Sequence, residues 1–276
     1  MSLKRITLLL FVLCTFPTAQ AGLFDKTSRT KSIDELYEDC TKNAERGYYT
    51  KALETCNRVR NVYRDSPLST LAELTIADIY YKRGDYEQAR IAYEDFSRLH
   101  PRHEKMHYVS YRIGLTIYKR SPGAAGRDQT STKQAVNAWT GFETRYPESE
   151  YVPEVKKYLT KARDRLARKE LYIARFYAQR GAWGATQKRL EGLLKRYSNT
   201  PTAPIAMMEL ASAYHRWGMV QRATGIRDLL NEQFPDSKQV NQLEKVLSNP
   251  AGEKPEEPAF VRPYRVPGGM AGMAGS

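Results

Sequence analysis

Gly47-Tyr48-Tyr49-Thr50-Lys51-Ala52 and Gly84-Asp85-Tyr86-Glu87-Gln88-Ala89 are the same phrase written twice. Each reads glycine, any residue, a large residue, two more, then a small one. Gly181-x-Trp183-x-x-Thr186 and Gly218-x-Val220-x-x-Ala223 repeat it further along the chain. Positions 47 and 84 differ by 37, as do 181 and 218. That spacing is close to the roughly 34-residue period of tetratricopeptide (TPR) helix pairs. The phrase has a physical logic. Glycine tolerates the left-handed backbone that ends one helix. The large residue covers the turn, and the small one lets the second helix lie close against the first.

Working outward, the chain from residue 33 to about 247 has helical periodicity and no alternating, strand-like runs of any length. Pro67, Pro101, Pro147, Pro201 and Pro235 punctuate it, each expected to stop a second helix. Five helix pairs follow, over roughly 33–67, 68–101, 105–147, 154–201 and 204–235. The third is interrupted by a loop, Ser121-Pro122-Gly123-Ala124-Ala125-Gly126-Arg127-Asp128, and its second helix restarts near Thr132. The fourth begins with a long basic helix, 154–180. The expected fold class is therefore all-α, an α-α superhelix of five TPR-like pairs. It divides into an N-terminal half (33–147, pairs one to three) and a C-terminal half (148–247, pairs four and five). Residues 248–276 are rich in proline, glycine and methionine, and are expected to form a disordered tail.

The N-terminus reads as an export signal over 1–21. Lys4 and Arg5 precede an apolar run, Ile6 to Phe16, and Ala19-Gln20-Ala21 is a small-x-small cleavage site. The run is too short to span a bilayer comfortably. Residues 22–32 then form a linker. Formal net charge is +13, and about +11 once Lys4 and Arg5 leave with the signal. Charge alone permits nucleic acid, anionic lipid or acidic protein as partner, and export argues against nucleic acid.

Cys40 and Cys56 remain in an oxidising compartment. The first turn lies near Tyr48, eight residues after Cys40 and eight before Cys56. On antiparallel helices this sets the two opposite each other, as a disulfide worth about 3 kcal/mol or as two small buried thiols.

His103-Glu104-Lys105-Met106-His107 matches the H-E-x-x-H pattern of zinc peptidases. Its context argues against zinc: it straddles a helix start after Pro101, and no further carboxylate or imidazole follows until Asp128. No phosphate-binding glycine loop and no G-x-S-x-G is present. The reading is of a binding scaffold rather than an enzyme, with no cofactor and no metal.

Three groups of residues carry a family resemblance. Tyr108-Val109-Ser110-Tyr111-Arg112-Ile113-Gly114-Leu115 opens the third pair. Arg127-Asp128-Gln129, Ala135, Phe142 and Tyr146-Pro147-Glu148-Ser149-Glu150-Tyr151 complete it. Arg180-Gly181-Ala182-Trp183 with Arg189-Leu190-Glu191-Gly192 is the most specific. Together, over 31–235, they resemble the outer-membrane protein assembly factor BamD (ComL) family. The resemblance implies a scaffold subunit of the β-barrel assembly (BAM) machinery on the periplasmic face of the outer membrane. Its implied partners are the POTRA region of BamA, other BAM subunits, unfolded outer-membrane β-barrel proteins and the outer-membrane surface. The C-terminal half would dock on BamA through Arg189, with Arg180 and Trp183 beside it. The N-terminal half would receive the C-terminal signal of unfolded barrels. A groove for such a strand-like, aromatic-ended peptide suits tyrosines; Tyr37, Tyr80, Tyr81 and Tyr111 are the candidates, with packing between helices as their alternative role.

The chain departs from that family at its start. Leu13 precedes Cys14 and Phe11 stands at the −3 position, a poor lipobox. Attachment is therefore expected to run through BamA rather than through lipid on Cys14. A periplasmic TPR adaptor of a division or peptidoglycan complex is the competing reading. The interrupted third pair and the lack of a heptad segment favour the first.

Overall fold

Serine caps open three of the helices, at Ser32, Ser66 and Ser237. The computed structural model describes residues 31–253. The signal over 1–21 with Cys14, the linker up to residue 30 and the tail from 254 lie outside the described residues. The first pair is α1 (Ile33–Glu45) and α2 (Tyr49–Val62); the second is α3 (Pro67–Arg83) and α4 (Tyr86–Leu99). The third pair comprises α5 (Met106–Arg120), α6 (Thr130–Trp139) and a four-residue helix, α7 (Phe142–Arg145). Then come α8 (Val152–Ala178) with α9 (Trp183–Tyr197), and α10 (Ala203–Arg216) with α11 (Val220–Gln233). A last helix, α12 (Lys238–Leu247), has no partner of its own. No strand occurs among the described residues. The molecule is an all-α, TPR-like array.

The repeated glycines do what the phrase requires. Gly47, Gly84, Gly181 and Gly218 all have φ between 69° and 88°, the left-handed region that stops the first helix of a pair. Ala52, Ala89 and Ala223 are fully buried, and Thr186 nearly so, where the second helix meets the first. The large position is less uniform. Tyr49, Tyr86 and Trp183 are half-buried, but Val220 is exposed and covers nothing.

Two boundaries differ from the sequence reading. Pro67 starts α3 instead of ending α2. The ring needs no N–H at a first helical position, and Ser66 caps that helix by accepting from the Leu68 amide at 3.2 Å. The third pair's second helix begins at Thr130, ahead of Thr132, and breaks at Gly141, whose φ of 76° separates α6 from α7. After α12 the described residues, up to 253, form no helix or strand. His215 Nε2 lies 2.9 Å from the Asn249 carbonyl, and the Gly252 amide donates to the His215 carbonyl at 3.2 Å. Residues 249–252 thus lie against the end of α10.

The core is a series of small clusters, each shared between neighbouring pairs, as expected of a stacked array. Leu36, Cys40, Cys56 and Val59 pack with Ala72 and Ile76 of the next pair. Leu115, Trp139 and Phe142 of the third pair pack with Val155 of α8, so a shared core crosses the division at 147. Leu243 and Leu247 of α12 cover the apolar faces of α10 and α11, closing the last pair. Cys40 and Cys56 are fully buried and are joined as a disulfide between α1 and α2, with Cα atoms 5.1 Å apart.

Candidate functional site

The stacked first helices α3, α5 and α8 bring together a group of tyrosines around one arginine. On α5, Tyr108, Tyr111 and Arg112 stand one turn apart; on α3, Asp78 and Tyr81 do the same. The Arg112 guanidinium lies 3.7 Å from the centre of the Tyr81 ring, within cation–π range. Its Nε donates to the Tyr93 hydroxyl at 2.9 Å, and its Nη2 is 3.5 Å from Asp78. The hydroxyls of Tyr93 and Tyr108 both donate to Asp78 Oδ1. Asp78 is thereby compensated by one cation and two phenols, which makes its burial affordable.

Tyr111 sits at the edge of this network. It stacks on Tyr151, with ring centres 4.9 Å apart and planes at 10°. Tyr151 also meets Tyr108 at 5.5 Å and His107 at 5.6 Å. Burial raises the Tyr81 hydroxyl to about 12, the Arg112 charge opposing it. Burial likewise pushes Tyr108 and Tyr111 up, so the group stays neutral over the physiological range. Neutral phenols with half-exposed faces bind aromatic and apolar side chains while their hydroxyls meet backbone amides.

Of the four candidate groove tyrosines, the structure unites Tyr81 and Tyr111 in one cluster. Tyr37 and Tyr80 lie elsewhere. Tyr37 packs on the first pair's core, its hydroxyl 3.4 Å from Thr75 Oγ1. Tyr80 fills the seam between pairs one and two and lines a cleft with Ile76, Ile91 and Leu99. Sequence reasoning passed over Asp78, Arg112 and Tyr151 as site residues. The one-turn spacing of Tyr108, Tyr111 and Arg112 was the available signal, but their meeting with α3 and α8 is tertiary.

A close approach holds this region in register. A Cβ on Gly114 would overlap the Trp139 indole, so α5 and α6 touch at that glycine. The indole N–H donates to the Tyr111 carbonyl at 3.2 Å.

The α8–α9 turn and the helix that follows it carry the other candidate residues, Arg180 in the turn, Trp183 at the start of α9 and Arg189 within α9. Arg189 Nη1 is 3.1 Å from Glu170 Oε2, a carboxylate of its own chain that Arg196 also approaches at 3.4 Å. Arg189 remains 43% exposed. The Arg180 guanidinium folds back to 3.5 Å from the Phe176 ring. Trp183 packs inward against Trp217, with ring centres 5.6 Å apart. Arg189 thus presents charge outward, while Trp183 shapes the turn.

His103 and His107 do not converge on a common point. His103 precedes α5 and packs on Phe96, whereas His107 lies in the first turn with Nδ1 3.1 Å from Ser149 Oγ. Among the described residues, no three His, Cys, Asp or Glu side chains are grouped so as to hold a metal.

Residues 29–229 match the YfiO family model, described as outer membrane lipoprotein. The chain belongs to this family. The match covers the first four helix pairs, reaches into the last and includes both candidate surfaces. Relatives named "Outer membrane protein assembly factor BamD" agree with it. That of Neisseria meningitidis serogroup A is 28% identical over 231 residues, covering 79% of this chain and 86% of the relative. That of Xylella fastidiosa Temecula1 is 29% identical over 213 residues, covering 74% and 73%. That of Haemophilus influenzae is 26% identical over 241 residues, covering 84% and 88%. No helix of this YfiO-family chain, among the described residues, is long and apolar enough to cross a membrane.

Proposed function

We propose that the chain is an outer-membrane protein assembly factor, a scaffold subunit of the β-barrel assembly machinery working on the periplasmic face of the outer membrane. The family match over 29–229 carries this reading, because it covers the first four helix pairs and reaches into the last. Stacked helix pairs build an extended surface for polypeptides, and nothing in the two candidate surfaces calls for bond-making chemistry.

In this reading the two halves divide the labour. The Tyr81–Tyr111 face in the N-terminal half receives the strand-like signal of an unfolded β-barrel protein. Extended peptide backbone meets the phenol hydroxyls and its aromatic side chains meet the rings. The α8–α9 turn docks on the POTRA region of BamA through Arg189, with Arg180 and Trp183 setting the shape of the turn. Arg189 already shares Glu170 with Arg196. A partner carboxylate can take Arg189 while Arg196 keeps Glu170 compensated. Such a contact is charge-assisted, and losing one side of a desolvated pair costs about 2–5 kcal/mol.

A pull-down on the isolated POTRA region tests the docking. Arg189→Glu is expected to lose binding while its thermal melt stays unchanged, and Glu170→Gln, which keeps the arginine, is expected to retain it. Equal capture of wild type and Arg189→Glu would remove the assignment.

A further inference from the structure

One face of α8 runs from the tyrosine cluster toward the α8–α9 turn, and between its ends, at Lys169, Tyr172 and Phe176, it belongs to neither surface. Tyr158, Arg165, Lys169, Tyr172, Phe176 and Arg180 follow at steps of seven, four, three, four and four, which keeps them in a single stripe. The stripe's first part is packed. Tyr158 meets Tyr118 at 5.5 Å, and Arg165 donates to the Ser121 carbonyl at 3.1 Å and to the Tyr118 hydroxyl at 3.0 Å. Tyr172 then runs beside Gly126 of the inserted loop. From there the stripe is open: Tyr172 is 55% and Phe176 43% exposed. Their neighbours on the stripe are cations and none is a carboxylate. Lys169 forms no ion pair among the described residues, and Asp128 across the loop offsets only part of its charge.

We infer that this stripe is a second subsite for an extended polypeptide, continuing the path of a chain bound at Tyr81 and Tyr111. The inference rests on the reading of that tyrosine face as a substrate site. Aromatic side chains of the bound chain lie against Tyr172 and Phe176, and carboxylates beside them meet Lys169 and Arg180. Two observations select this occupant. The stripe is continuous with the first site, because Tyr151, seven residues before Tyr158, stacks on Tyr111. Its charge is of one sign, so a second copy of the same stripe would be repelled. From Tyr158 to Arg180 the helix and its turn span about 33 Å, room for about ten residues of extended chain.

Fluorescence anisotropy with the full chain tests this. The probes are a labelled 20-residue peptide alternating Phe or Tyr with Glu or Thr, a version with Lys for Glu, and a ten-residue acidic version. The double variant Tyr172→Ala/Phe176→Ala removes only exposed rings, and an unchanged circular-dichroism melt verifies its fold. It is expected to bind the long acidic peptide about tenfold more weakly or worse, and the short one as wild type does. Lys169→Glu is expected to weaken the acidic peptide several-fold and to spare the lysine version. If Tyr111→Ala weakens the long peptide but the double variant does not, the second subsite is wrong and the first site stands. If neither variant changes binding, both are wrong. The inference is likewise overturned if the double variant instead abolishes binding to anionic phospholipid vesicles, or abolishes a dimer in sedimentation, with peptide affinity unaltered.

Discussion

The two halves of the array use one phrase and hold themselves together differently. Between pairs two and three tyrosines surround the partly exposed Arg112–Asp78 pair, and the first pair carries a disulfide. In pairs four and five the seams are alanines, leucines and two tryptophans, with ion pairs linking the helices from outside. Asp164 marks the contrast. It is buried on α8, accepts from Arg168, and accepts from both the amide and the hydroxyl of Thr202 at the start of α10. The N-terminal half ties its polar groups to one another, Asp78 accepting from Tyr93 and Tyr108 beside Arg112. The C-terminal half uses its buried carboxylate as an internal tie and leaves its arginines outside. Similar backbones can thus carry an aromatic and charged cluster in one place and an arginine-bearing surface in another.

That contrast can be broken most severely at the shared core. Trp139→Ala empties the contact with Gly114 and Leu115 and should cost about 3–5 kcal/mol, read as a drop in urea midpoint that loosens both halves together. Loss confined to one half would mean that the core across residue 147 is not shared. Replacing Cys40 and Cys56 together by serine should cost about 3 kcal/mol. Hydrogen exchange should show lost protection in α1 and α2 with α10 and α11 unaffected. Asp164→Ala should cost about 2–3 kcal/mol by leaving Thr202 and Arg168 unpaired, with the reverse exchange pattern.

Smaller effects sharpen the comparison. The Tyr81 hydroxyl is raised to about 12 and Tyr214, by burial and Glu191, also to about 12. Unfolded tyrosines ionise near pH 10. Folding stability from these groups is therefore fully present below pH 10 and is lost as pH rises toward 12. Absorbance titration of the phenolate should show Tyr81→Phe removing a late-titrating group from the N-terminal half. Loss of a group titrating near pH 10 instead would place Tyr81 in solvent. The smallest expected effect is that of Arg189→Glu on stability, within about 0.5 kcal/mol for so exposed a pair.

Much of this was legible in the chain. The glycine phrase located four of the helix turns, because left-handed backbone is strongly tied to residue type. The long basic helix of the fourth pair was also readable. The missed features depend on context. Pro67 reads equally as a stop and as a first helical residue. Ser66, one place earlier, is what makes it a start. Gly141 stands outside the repeated phrase, so its break between α6 and α7 left no periodic trace. Tyr37 and Tyr80 were indistinguishable from Tyr81 and Tyr111 by composition, since an unpaired helix face does not say which neighbour will cover it.

The sequence by itself determined the number of pairs, the position of their turns and the opposition of Cys40 and Cys56. These rest on local backbone preference and on helical periods that act within one pair. Only the tertiary structure decided that Arg112 lies on Tyr81, that Tyr111 stacks on Tyr151 and that Tyr172 and Phe176 stay uncovered. Those outcomes depend on how one pair is rotated on the next. That rotation is set by the summed packing of many side chains distant in the chain, such as Trp139 against Gly114.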